Sequence, residues 1–115
     1  MKVCAIANQK GGSGKTTLAE CLAVTAYLRG AATAILDLDP QGSSYRWSKR
    51  RDESDPVVLT GTPADASDKL DSLRAAGADW VFADTPARLA ENTSVGITRS
   101  DLVVIPSKVS VKDIE

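Results

Sequence analysis

Eight consecutive residues carry the most legible chemistry: Lys10, Gly11, Gly12, Ser13, Gly14, Lys15, Thr16 and Thr17. The glycines let the backbone turn tightly and aim successive N–H groups inward, where side chains bearing a Cβ would obstruct. Such a turn cradles phosphate oxygens. Lys15 adds a mobile positive charge suited to the outer phosphates of a nucleotide, and the Thr16 hydroxyl suits a magnesium ion. An apolar run, Val3 to Ala7, precedes the stretch, and Leu18 to Leu28 follow it at helical spacing. Strand, glycine-rich loop and helix N-terminus in that order make an anion site, which a plain glycine-rich surface turn does not require.

Two further places supply carboxylates. Ala34-Ile35-Leu36-Asp37-Leu38-Asp39 reads as a buried strand with an acidic end, broken into a loop by Pro40, Gln41, Gly42 and Ser43. Carboxylates at the carboxyl end of a parallel strand lie where open α/β sheets bind ligands. Asp37 and Asp39 are expected to face opposite ways and to hold separate roles. Trp80-Val81-Phe82-Ala83 is another apolar strand, closed by Asp84-Thr85-Pro86. A strand of that kind brings a carboxylate to a magnesium shell.

The common phosphate loop is G-x-x-x-x-G-K-[ST], but here Gln9 holds the first glycine position and Lys10 follows it. This K-G-G-x-G-K-T-T form resembles the deviant Walker A motif of the ParA/MinD family of ATPases. Asp37-Leu38-Asp39-Pro40-Gln41-Gly42 is similar to that family's D-x-D-P-Q-G motif, and the apolar strand ending in Asp84-Thr85-Pro86 resembles its third motif. The resemblance covers essentially the whole chain. Trp47-Ser48-Lys49 is also similar to small plasmid-partition ATPases of the ParF kind. Ala87-Arg88 depart from the family, where a second proline or a small residue is more usual, and Arg88 reads as a surface residue.

The resemblance implies ATP and Mg²⁺ as the bound species. Gly11, Gly12, Ser13, Gly14, Lys15, Thr16 and Thr17 would hold the nucleotide, with Thr16, Asp37 and Asp84 around the metal. Lys10, Lys15 and Asp39 would be catalytic: Lys10 reaches the partner subunit's nucleotide in an ATP-dependent homodimer, and Asp39 positions the attacking water. The resemblance further implies slow hydrolysis until a ParB-like adaptor completes the site, and plasmid or chromosome segregation as the task. Non-specific DNA binding by the intact protein, a cytoplasmic or nucleoid-associated location and no membrane contact are expected with it.

The elements that position these residues are those of one domain. The chain has 115 residues, 43% hydrophobic and 25% charged, which is ordinary for a globular protein. A formal net charge of -1 gives no bulk electrostatic reason to bind nucleic acid. There is no apolar run of the ~18 residues that a membrane span needs. With no histidine, Cys4 and Cys21 read as buried small hydrophobes in a reducing compartment, not as zinc ligands.

Strands are expected at residues 2–8, 34–39, 57–59, 80–83 and 101–106. A helix over 15–29 should bury Leu18, Cys21, Leu22, Thr25 and Leu28 and stop at Gly30. A second should begin near Thr62-Pro63-Ala64-Asp65, bury Leu70 and Leu73, and end at Gly77. Shorter helical segments are expected at 43–51, anchored by Trp47, and at 90–99. Lys49-Arg50-Arg51 are offset by Asp52, Glu53 and Asp55, and Asp65, Asp68 and Asp71 read as a solvated ridge, not a cation site.

Strands alternating with helices predict an α/β P-loop NTPase fold, a parallel sheet with helices on both faces. Ser110 to Asp113 has the form of a helix start and the sequence stops at Glu115. A single domain over 1–115, incomplete at its C-terminus and equal to the N-terminal half of a ParA-type domain, is therefore expected. Three alternatives share the loop: a MinD-like regulator, which needs an amphipathic membrane helix; an ATP-dependent amide ligase; and a non-catalytic nucleotide-binding or dimerisation fragment.

Overall fold

Strands form where aliphatic residues run almost without interruption, and among the described residues the strand pairs are all parallel. The computed structural model describes residues 1–7, 15–38, 49, 56–62, 64–85 and 99–104, with Lys15 and Thr16 through their backbone only. Five strands make one sheet: β1 (Lys2–Ile6), β2 (Thr33–Asp37), β3 (Val57–Thr60), β4 (Trp80–Asp84) and β5 (Leu102–Val104). Their order across the sheet is β3-β2-β4-β1-β5. Strands β1, β2 and β4 lie inside, covered on both faces, which is why alternation is lost from their sequences. Edge strands β3 and β5 carry exposed Val57, Leu102 and Val103.

Among the described residues, two helices cover the two faces of the sheet. α1 (Lys15–Leu28) seals one, where Ala19 and Ala23 meet Cys4, Ile6, Ile35 and Phe82. α2 (Ala66–Ala75) seals the other, where Ala66, Leu70 and Leu73 meet Val3, Ala34, Leu36, Leu38 and Val81. Fully burying an aliphatic side chain such as Ile35 or Leu70 contributes about 1.5–3 kcal/mol, so these two clusters dominate the fold. Both helices end in the same way: Gly30 and Gly77 adopt positive φ, +92° and +89°. At the first end Ala31 N–H donates to the Ala26 carbonyl, and at the second Ala78 N–H donates to that of Leu73. Each is a Schellman stop, as the two glycines predict.

The inward face of α1 differs from the expected one. Leu18 and Leu22 pack against the sheet, but Ala19, Ala23 and Ala26 share that face, whereas Cys21, Thr25 and Leu28 are exposed. Alanine lets a helix lie close on a flat sheet, and the periodicity argument weighted bulk instead. Cys21 is therefore not a buried hydrophobe, whereas Cys4 is; burial pushes the Cys4 thiol pKa up, which keeps it neutral and unreactive. Of the helix expected at 43–51 only Lys49 is described, and it is helical; the segment at 90–99 lies outside the described residues except for Arg99.

A hydrogen-bonded turn leads into α2. Thr62 N–H donates to Asp65 Oδ1 at 2.7 Å, and Asp65 N–H donates to Thr62 Oγ1 at 3.3 Å. This reciprocal pair closes the turn that leads into α2, whose N-cap residue, Asp65, makes no side-chain bond to the helix's own N–H groups. Asp71, further along the expected ridge, accepts from Arg99, which also donates to the Ser67 carbonyl and hydroxyl. That fork ties α2 to the approach of β5.

At the amino edge of the sheet two aspartates fasten strands together. Asp79, just before β4, accepts from Ala32 N–H at 2.8 Å and returns its own N–H to the Ala32 carbonyl at 2.7 Å. Asp101, just before β5, accepts from Val3 N–H at 2.8 Å and donates its N–H to the Val3 carbonyl at 2.8 Å. Replacing Asp101 by Ala should cost about 1–2 kcal/mol in urea unfolding, and Asp101→Asn, which keeps an acceptor, clearly less. Gly61 makes a second prediction. A Cβ there would stand 2.9 Å from Asp65 Oδ1 and 3.3 Å from Leu38 Cδ2. Gly61→Ala and Asp65→Ala should each cost about 1 kcal/mol, the double variant at least ~0.5 kcal/mol less than their sum. Strict additivity would refute the contact.

Candidate functional site

The carboxylates that end β2 and β4 are direct cross-strand neighbours. Asp37 stands in register with Asp84, and Asp84 in register with Ile6 of β1. Parallel neighbours in register point to the same side of the sheet, and strands lie about 4.8 Å apart. Thr60, Asp37, Asp84, Ile6 and Val104 thus form one row across all five strands. The side chains two positions earlier on the same face, Ile35, Phe82 and Cys4, lie under α1. The two acidic groups therefore face the α1 side, at 1% and 0% exposure.

The helix start meets them there. β1 and β2 are parallel and α1 joins them, so α1 runs back from the carboxyl edge of the sheet and its first turn sits at that edge. A helix N-terminus offers unpaired N–H groups and a partial positive charge, and so attracts phosphate. Two buried carboxylates beside it attract a cation instead. An edge with both features suits a phosphorylated ligand carrying a divalent ion.

The backbone around this row is tightly bonded. Leu38 N–H donates to the Asp84 carbonyl at 2.9 Å, and Gly61 N–H to the Asp37 carbonyl at 3.0 Å. Thr85, 0% exposed, donates both its hydroxyl, at 2.7 Å, and its N–H, at 3.2 Å, to the Ile6 carbonyl. On the other side of β1, Ala7 N–H donates to the Val104 carbonyl at 2.9 Å.

Of the residues singled out from sequence, the structure brings Asp37 and Asp84 together and puts Lys15, Thr16 and Thr17 in the first turn of α1, with the Thr17 side chain exposed. Lys10, Gly11, Gly12, Ser13, Gly14 and Asp39 lie outside the described residues. One expectation is corrected on principle: residues two apart in a regular strand share a face, so opposite directions cannot separate Asp37 from Asp39. β2 in any case ends at Asp37. Among the described residues no three Asp, Glu, His or Cys gather to hold a metal. A cation here would take the two carboxylates and complete its shell with ligand and water oxygens, the habit of magnesium.

Sequence reading missed Thr85, Asp79 and Asp101. The aspartates had a signal, since each directly precedes an apolar strand (Asp79-Trp80-Val81 and Asp101-Leu102-Val103). Thr85 had none, because its partner lies 79 residues away in sequence.

Comparison with known proteins agrees with this geometry. Residues 4–114 match the CobQ/CobB/MinD/ParA nucleotide binding domain. "Maintenance of carboxysome distribution protein A" of Halothiobacillus neapolitanus is 33% identical over 109 residues, 89% of this chain and 48% of that protein. "Chromosome-partitioning ATPase Soj" of Thermus thermophilus is 32% identical over 131 residues, 89% of this chain and 53% of that protein. The chain thus spans about half the length of these curated relatives. Cobyrinic acid a,c-diamide synthase of Mycobacterium smegmatis, solved with an ATP analogue and magnesium, shares the fold. It superposes with a TM-score of 0.70 at 23% identity, over 99% of this chain and 63% of its own. No described helix is long and apolar enough to cross a membrane. A parallel sheet with a carboxylate pair at the start of α1, and a match over nearly every residue, make the chain a member of the CobQ/CobB/MinD/ParA nucleotide-binding family, with the P-loop NTPase fold.

Proposed function

We propose that the chain is the nucleotide-binding part of a ParA-type partition ATPase that dimerises with Mg-ATP and hydrolyses it slowly. A ParB-like adaptor is its proposed activator. The carrying observation is the pair Asp37 and Asp84, in register and buried on the face where α1 begins, directly after the glycine-rich loop. Carboxylate oxygens are the hard ligands that Mg²⁺ prefers, and Mg²⁺ takes only one or two of them beside phosphate and water. When bound, Mg²⁺ neutralises charge on the β- and γ-phosphates.

In this reading Gly11, Gly12, Ser13, Gly14 and the first turn of α1 hold the phosphates through backbone N–H groups. The Lys15 ammonium offsets their outer charge, and the Thr16 hydroxyl joins Asp37 and Asp84 around the metal. Asp39 orients the attacking water, and Lys10 serves the nucleotide of the partner subunit. Such chemistry is positioning and electrostatics, so a site short of one partner group turns over slowly. The likeness to Soj supports DNA as cargo and the nucleoid as location. The likeness to the carboxysome-distribution protein supports a second reading, in which the same switch spaces a protein body.

Phosphate release from Mg-ATP alone separates these readings from their rivals. Release only with a carboxylate substrate would mean an amide ligase, and release no faster than in Lys15→Ala a binding module. Lys15→Ala should weaken nucleotide affinity by about 1.5–3 kcal/mol, roughly 10- to 150-fold. Asp39→Ala should bind normally and lose about 10²-fold or more in kcat; unchanged turnover would sink its role. Sedimentation should find a dimer with Mg-ATP, a monomer with Mg-ADP, and a monomer in Lys10→Ala under both conditions. A Lys10→Ala dimer would contradict the assignment.

A further inference from the structure

We infer that Thr85 is a positioning residue that locks the entry of the phosphate loop to the strand end carrying Asp84. The inference rests on the nucleotide-site reading above. Thr85 is fully buried, and a buried β-branched position at a strand end is filled as well by Val, which brings no polar atom to satisfy. What Thr adds is the hydroxyl.

That hydroxyl has a defined task. The parallel ladder between β1 and β4 ends on the bond from Thr85 N–H to the Ile6 carbonyl, at 3.2 Å. The hydroxyl doubles it with a shorter bond, 2.7 Å, to the same oxygen. Ile6 is the last residue of β1, and the next N–H, of Ala7, is taken by Val104 of β5. The chain is thus held from both sides just before the glycine-rich loop, and on the β4 side Thr85 supplies both bonds. Thr85 also directly follows Asp84, whose carbonyl accepts from the N–H of Leu38, the residue before Asp39. Thr85 thus bonds the end of β1 and directly follows Asp84, and Asp84 in turn is bonded by Leu38, the residue before Asp39. Losing the hydroxyl frees the loop entry to shift against Asp84, and in-line transfer tolerates little: a displacement of about 1 Å costs on the order of 10²-fold in rate.

The test compares Thr85→Val with Thr85→Ser in the full chain. In Thr85→Val, kcat for Mg-ATP should fall about 10- to 100-fold while KM changes less than about threefold. Amide exchange at Ala7 should accelerate by about tenfold or more, well beyond any acceleration at Leu36 in the core. Thr85→Ser, which keeps the hydroxyl and drops the methyl, should restore both readouts. Exchange that rises equally at Ala7 and Leu36 would reduce Thr85 to a stability residue and overturn the inference. So would a serine variant no better than valine, or an unchanged kcat. A wild-type chain that neither binds nor hydrolyses Mg-ATP would instead refute the nucleotide reading, and the exchange comparison alone would then decide the coupling.

Discussion

The structure depends on one pairing: β4 inserts between β1 and β2 and bonds to both in parallel. Without that insertion Asp37 and Asp84 would not be neighbours, and the end of β1 would not face Thr85. Parallel register does the rest, because three strands entering from one edge deliver their last residues to the same height. The acidic row is a geometric result of where the strands stop. A shift of β4 by one residue would turn Asp84 toward the α2 face and away from the first turn of α1.

The two edges of the sheet divide the aspartates by task. At the amino edge Asp79 and Asp101 accept backbone N–H groups and fix the strands' starting heights. At the carboxyl edge Asp37 and Asp84 stand side by side, buried in register on the α1 face. The same residue type, ending or preceding a similar apolar run, thus aligns strands at one edge and forms a buried pair in register at the other.

Much of this was legible in the sequence because it is local. The glycine-rich stretch between a strand and a helix, the apolar runs ending in Asp, and Gly30 and Gly77 as helix stops all act within a few residues. The burial of α1 was misread where bulk and contact diverge: Leu28 is large and exposed at 75%, while Ala19 and Ala23 are small and buried at 0%. Helix periodicity leaves the choice of face to packing, and a close-lying helix selects alanine. The clamp from Thr85 to Ile6 was illegible for another reason, since local sequence holds no trace of a hydroxyl's distant acceptor.

The central place of β4 also sets an order of events. A chain emerging from the ribosome presents the glycine-rich loop and α1 early, yet β1 and β2 share no bonds with each other and wait for the strand between them. Closing so long a loop is entropically slow and precedes any reward from the sheet. Until residues 80–84 arrive, the ends of β1 and β2 have no common frame, and the acidic pair does not exist. The pairing of Asp37 with Asp84 thereby waits for β4, and a chain that has not reached residue 80 carries the glycine-rich stretch without it.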